Sequence, residues 1–232
     1  MTGEKVLALW EEVSRSPEDK EKTKQYCDAA LLLTHNPDEW KKNGDEVISQ
    51  LETLCGRGDT TAMSALGIIL KQHGEKEDPA RAFGLLKKAA LSGDEEALRI
   101  WGETLRDGIP GLVERDIPAA RECFEKLDEA GNDLGTVLLA KLYRLNTDEI
   151  PRDFMKSFEL LKKVADKKGT SMGWAALDVG NAYLEGTEDV PLDPEAAKHY
   201  FKIAEKCGIF VEQKIKAAEV AAKISEQSMT HN

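Results

Sequence analysis

The chain has 232 residues, of which 41% are hydrophobic, 32% charged and only 6% aromatic. Its formal net charge of −11 sets up a field that repels phosphate backbones and anionic lipid, and no Lys/Arg-rich run overrides it, which excludes nonspecific nucleic-acid binding. No apolar run is long enough to cross a bilayer, which excludes direct membrane insertion by a helix, and abundant alanine with few aromatics points to closely packed helices in place of a sandwich.

The first predicted element lies in "EKVLALWEEVS", an amphipathic helix with Val6, Leu9, Trp10 and Val13 on one side. The opening stretch is acidic, with neither a cleavable apolar segment nor an Arg-rich transit pattern. The next helix is predicted from "SPEDKEKTKQYCDAALLLTHN", with Ser16 as N-cap and Pro17 at the first helical position. "GDEVISQLETLCGRG" then reads as the second helix of a degenerate leading repeat, so residues 1–57 form an irregular N-terminal part.

Beyond residue 58 the chain says nearly the same thing several times. Gly58, Gly93, Gly131, Gly169 and Gly208 each follow a helical pattern with a Lys- or Ala-rich end, at intervals of 35, 38, 38 and 39 residues. Intervals of this size belong to arrays of helical hairpins. A second register runs through Gly67, Gly102, Ala140 and Gly180, inside the first helix of each pair. Glycine there costs about 1 kcal/mol relative to alanine, so close approach of the partner helix is the expected compensation. A third register, Asp78, Asp116, Asp153 and Asp193, precedes the second helix of each pair and reads as its N-cap. The loops between, such as "RDGIPGLVERD" and "EGTEDVPLD", have turn compositions, and "DGIPG" is a longer insertion with a binding loop as the alternative. The array ends in an amphipathic helix, "FVEQKIKAAEVAAKISEQ", within a capping segment and tail over 211–232. The predicted fold is all-α, an α/α superhelix of stacked antiparallel helix hairpins forming one domain over 1–232.

"AMSALG", Asp78, Ala82, "LLKKAALSG" and Ala97 resemble a Sel1-like repeat, a relative of the tetratricopeptide repeat. "LDVGNAYLEG" with Asp193, Ala197 and "HYFKIAEKCG" matches best, including Tyr183 and Gly186 of the family's "Y..G" step. The resemblance covers residues 58–210 as four repeats. Leu70 and Leu105 replace the tyrosine in the first two, and Ala140 and Ser157 replace Gly and Ala in the third. The resemblance implies an adaptor or assembly factor for other proteins. Cysteine-rich secreted members have been linked to penicillin binding, but this chain lacks their paired cysteines and that activity is not carried over.

Cys27, Cys55, Cys123 and Cys207 are far apart in sequence and make no zinc spacing. They read as four reduced thiols packed as small residues, Cys55, Cys123 and Cys207 near helix ends, and imply a cytoplasmic or other reducing intracellular compartment. His35, His73, His199 and His231 form no ligand pair. No Gly-rich phosphate loop follows a strand and no Ser or Cys carries a nucleophile signature, so neither a cofactor nor catalysis is expected.

What remains is the surface of the first helices. By spacing, the open positions are Ser64, Ile68 and Lys71; Arg99, Glu103 and Arg106; Val137, Lys141 and Arg144; and Trp174, Leu177, Asn181 and Leu184. With Leu134, the later ones make an apolar patch flanked by cations, the composition of a peptide groove. Alternatively the helix over Val211–Gln227 folds back and covers it. The expected function is a non-enzymatic scaffold holding a protein or peptide in a concave face. The alternatives are a structural subunit bound through edges or termini and, more remotely, a hydrolase-type enzyme with a dispersed site.

Overall fold

The computed structural model describes all residues except 74–78, 146, 168–171, 188 and 230–232, and the side chains of 224–229 as well are left undescribed. Asp78, Gly169 and His231 therefore lie outside the described residues. The elements are α1 (Gly3–Arg15), α2 (Lys20–Leu33), α3 (Pro37–Gly56), α4 (Thr60–His73), α5 (Pro79–Leu91), α6 (Glu95–Asp107), α7 (Ile117–Glu129), α8 (Asp133–Arg144), α9 (Phe154–Ala165), α10 (Gly173–Glu185), α11 (Pro194–Lys206) and α12 (Glu212–Met229). The described residues contain no strand, only an isolated bridge between Ile109 and Val113. The fold is all-α, built of antiparallel helix hairpins. It divides into two compact units, Met1–Cys123 and Phe124–Asn232, with the division inside α7.

In the first unit α1 buries Val6 and Val13 against α2 and α3, as its apolar spacing predicts. The start of α2 differs from the sequence expectation. Ser16 closes α1, and Asp19 caps α2 by accepting from the N–H groups of Glu21 and Lys22. A carboxylate three residues downstream satisfies two orphan donors and displaces the helix start accordingly. Asn36 and Pro37 start α3, which runs unbroken for 20 residues. Thus α2 and α3 form the leading hairpin. Tyr26, Leu33, Leu51, Leu54, Leu66 and Ile69 make the core, and the Tyr26 hydroxyl donates to Gln50 Oε1 at 2.8 Å.

The capping register holds wherever it is described. The Asp116, Asp153 and Asp193 carboxylates accept from Ala119, Lys156 and Ala196 N–H at 2.9, 2.8 and 2.9 Å. Each of these aspartates also donates its own N–H back to the preceding helix, to Leu105, Tyr143 and Tyr183 carbonyls. The hairpin turn is thereby closed at both ends. After the second helix, Gly93 and Gly131 take φ of 89° and 80°, the left-handed cap that glycine tolerates. The next residue, Asp94 or Asn132, caps the following helix through Ala97 or Gly135 N–H.

The second unit repeats the hairpin as α8–α9 and α10–α11, with α12 packed on α11. Its core gathers Phe158, Leu161, Val164, Val179, Phe201 and Ala204. Polar bonds join segments well separated in sequence. Lys163 pairs with Asp128 at 2.7 Å and Lys167 with Asp133. Tyr200 donates to Asp166 at 2.7 Å, Arg144 to Asp178 at 3.0 Å and Lys214 to Asn181 at 2.8 Å. Their sequence separations all lie between 33 and 35 residues.

Candidate protein-binding face

Helix α10 carries two stripes. Ala175, Ala176, Val179 and Ala182 are buried; Trp174, Leu177, Asn181 and Leu184 face the other way. That division follows from the 3.6-residue period once one side is committed to α9 and α11. Trp174 is 67% exposed, while Leu177 and Leu184 are half-buried at the margin of the core. On α8 the corresponding stripe shows Leu134 and Lys141 exposed and Arg144 half-buried.

Two residues of this stripe behave differently from the sequence expectation. Val137 is 7% exposed and belongs to the core cluster with Phe158 and Val179, because the neighbouring helices close over the middle of α8. Arg144 is tied rather than free: its Nη1 donates to Asp178 on α10 and its Nε to Ser157 on α9 at 3.1 Å. The ion pair places α8 beside α10, as the repeat spacing predicts, and neutralises the guanidinium.

Helix α12 leaves most of the face open. Val211, Ile215 and Ala218 turn into the core, and Lys214 reaches Asn181, but Trp174 stays exposed. One residue escapes sequence reasoning. Phe210, in the turn before α12, is 82% exposed. It sits beside Ile209, whose Cγ1 would lie 2.9 Å from a Cβ added to Gly173. Trp174 and Phe210 therefore follow two residues, Gly173 and Ile209, that lie close together. The sequence pattern places Phe210 at the head of the last helix, whereas the structure starts that helix two residues later, at Glu212.

In the first unit the same positions are spent on the fold. Ser64 and Ile68 are 3% and 8% exposed, enclosed because α4 is buried nearly all round. Lys71 is exposed at the end of α4. Arg99 pairs with Glu96 and Glu103 on its own helix, and Arg106 with Asp107. The mixed charge read from the sequence is thus largely self-neutralised. The 107–115 loop surrounds a shallow depression of about 520 Å³ lined by its own residues, with Arg115 Nε donating to the Arg106 carbonyl.

His35, His73 and His199 are exposed, and no cluster of three metal-ligating side chains occurs among the described residues. None of the four cysteines is joined in a disulfide; Cys27 and Cys123 are buried and Cys55 and Cys207 half-buried. Cys123 lies within α7 and not near its end.

Hairpins packed in series, closed by the same caps and joined at one-repeat spacing, define the helical-repeat solenoid class. The Sel1 repeat family matches residues 60–94, 96–132, 133–168 and 175–209, and the chain belongs to it. No curated protein matches the chain. A Sel1 repeat protein from Oxalobacter formigenes is similar over 87% of this chain and 88% of its own, at 17% identity and a TM-score of 0.66. A protective antigen of uropathogenic Escherichia coli strains, with the same class of fold, covers 70% of this chain at 24% identity and a TM-score of 0.58. The match spans only 34% of that antigen's length. Both likenesses bear on the fold alone.

Proposed function

We propose that the chain is a non-enzymatic protein-binding scaffold of a reducing, cytoplasmic-type compartment, and that its partner docks on the open face of α8 and α10. The observation that carries this reading is Trp174, a large aromatic left 67% exposed on a helix whose other apolar side chains are packed. A tryptophan removes much area from water with few rotors to freeze, which is why it is favoured as an interface anchor. Membership of the Sel1 repeat family, commonly used for protein–protein interaction, supports the same reading. An edge-bound subunit is favoured by Phe210, exposed in the turn whose Ile209 packs close to Gly173, the residue before Trp174.

The test places a photo-crosslinking amino acid at position 174 and, as control, at the exposed Lys202 of α11. Crosslinking in an extract of the native cells is expected to give discrete protein adducts from 174 and none from 202. Equal adducts from both positions, or none from 174, would remove the reading.

A further inference from the structure

The open face of the second unit is divided into two rows by chemistry. The first row is apolar: Leu134 at the start of α8, Trp174 at the start of α10 and Phe210 just ahead of α12, exposed to 39%, 67% and 82%. The second row lies two helical turns deeper, about 10 Å along the helix axes. It contains Lys141, seven residues after Leu134, and Asn181, seven residues after Trp174, with Lys214 reaching Asn181 from α12.

The charges of the second row are uncompensated. Lys141 is exposed and makes no described bond. Lys214 donates to a neutral amide, and its ammonium lies 5.9 Å from the centre of the Phe201 ring. Between the rows, the Asp178 carboxylate is already engaged by Arg144. Glu185, one turn beyond Asn181, bounds the basic row at the end of α10. A chain of net charge −11 has here a locally cationic strip beside an apolar one.

We infer that this face recognises an acidic amphipathic segment of a partner protein, whose apolar side chains seat on Leu134, Trp174 and Phe210 and whose carboxylates meet Lys141 and Lys214. Two parallel strips of this kind match a helix that lays its apolar side down with carboxylates along one flank. The overall negative charge slows approach of such a segment, so the local lysines and the aromatic row must carry the affinity. The inference rests on the open face being a protein-binding surface.

The probe is a fluorescein-labelled amphipathic peptide of about sixteen residues, with Leu and Phe on one face and Glu on the other, read by anisotropy against the full chain. Two counterparts replace every Glu by Lys, or every Leu and Phe by Ser. The acidic peptide should bind, each counterpart at least about tenfold more weakly. Lys141→Glu combined with Lys214→Glu should cost about tenfold, as should Trp174→Ser, and about 0.5 M salt should weaken binding and erase most of the lysine effect. Melting curves confirm that the variants are folded; Lys141→Glu alone, at a position with no described bond, gives a readout free of folding effects. If the acidic peptide does not bind, or the lysine variants leave its affinity unchanged, the inference is overturned. If the Lys peptide binds as well and remains dependent on Trp174, the face stands and the acidic partner falls. If Trp174→Ser has no effect on the acidic peptide, the face itself falls.

Discussion

At position 180 one helix passes so close to its partner that there is no room for a side chain. A Cβ added there would lie 2.6 Å from Phe201 Cε1 and 3.2 Å from the Ala197 carbonyl; at Gly67 it would lie 2.8 Å from Leu86 Cγ and 3.1 Å from the Ala82 carbonyl. Gly180→Leu is therefore expected to lower stability by about 1–3 kcal/mol through overpacking. Thermal denaturation measures it, and an unchanged midpoint would refute the close-approach account. This register was legible in the sequence because a backbone contact leaves only Gly or Ala as solutions, and Ala140 is indeed fully buried. Val137 was not legible. Its helical phase is that of an exposed stripe, but its burial is decided by how far neighbouring helices lean over α8, which no local spacing encodes. Phe210 was hidden for the related reason that a turn has no periodicity to read.

Between elements, the bond from Tyr200 on α11 to Asp166 after α9 couples consecutive hairpins. Burial alone would raise the Asp166 pKa, but hydrogen bonds from Lys162 and Tyr200 outweigh it and hold the carboxyl below its ordinary 3.8. Burial first, and then the bond to Asp166, pushes the Tyr200 phenol up to about 12. A carboxylate with a lowered folded-state pKa contributes stability that is complete above its ordinary value and lost as pH falls through the lowered one. The difference in melting temperature between the native chain and Tyr200→Phe should thus be constant at neutral pH and shrink below about pH 4. A difference that persists unchanged into strong acid would show that the bond does not contribute as described. The aspartate caps were readable because Asp before Pro or an apolar run has one dominant use at a helix start. The couplings between repeats were not, since Lys and Asp occur on every exposed helix face and only the packed geometry selects which pairs meet.

For the molecule as a whole, the state of the four cysteines is the test of the proposed compartment. Burial first, with nearby carboxylates adding, pushes the Cys55 thiol up to about 11, and burial raises that of Cys27, so neither is a ready nucleophile at neutral pH. Alkylation of the native, unreduced chain should spare Cys27, and alkylation after unfolding should modify all four; a stable crosslink between any two would overturn both the free-thiol state and the proposed compartment. Five bonds of the second unit each span 33 to 35 residues of sequence and fasten one helix, or the turn after it, to another. They work as stitches, each made by its own pair of residues. Because the pairs differ in kind, Lys with Asp, Tyr with Asp, Arg with Asp and Lys with Asn, a hairpin excised or duplicated whole would meet a neighbour whose stitch was made for another. The shape of each hairpin is generic, but the seams give every hairpin its own address in the order.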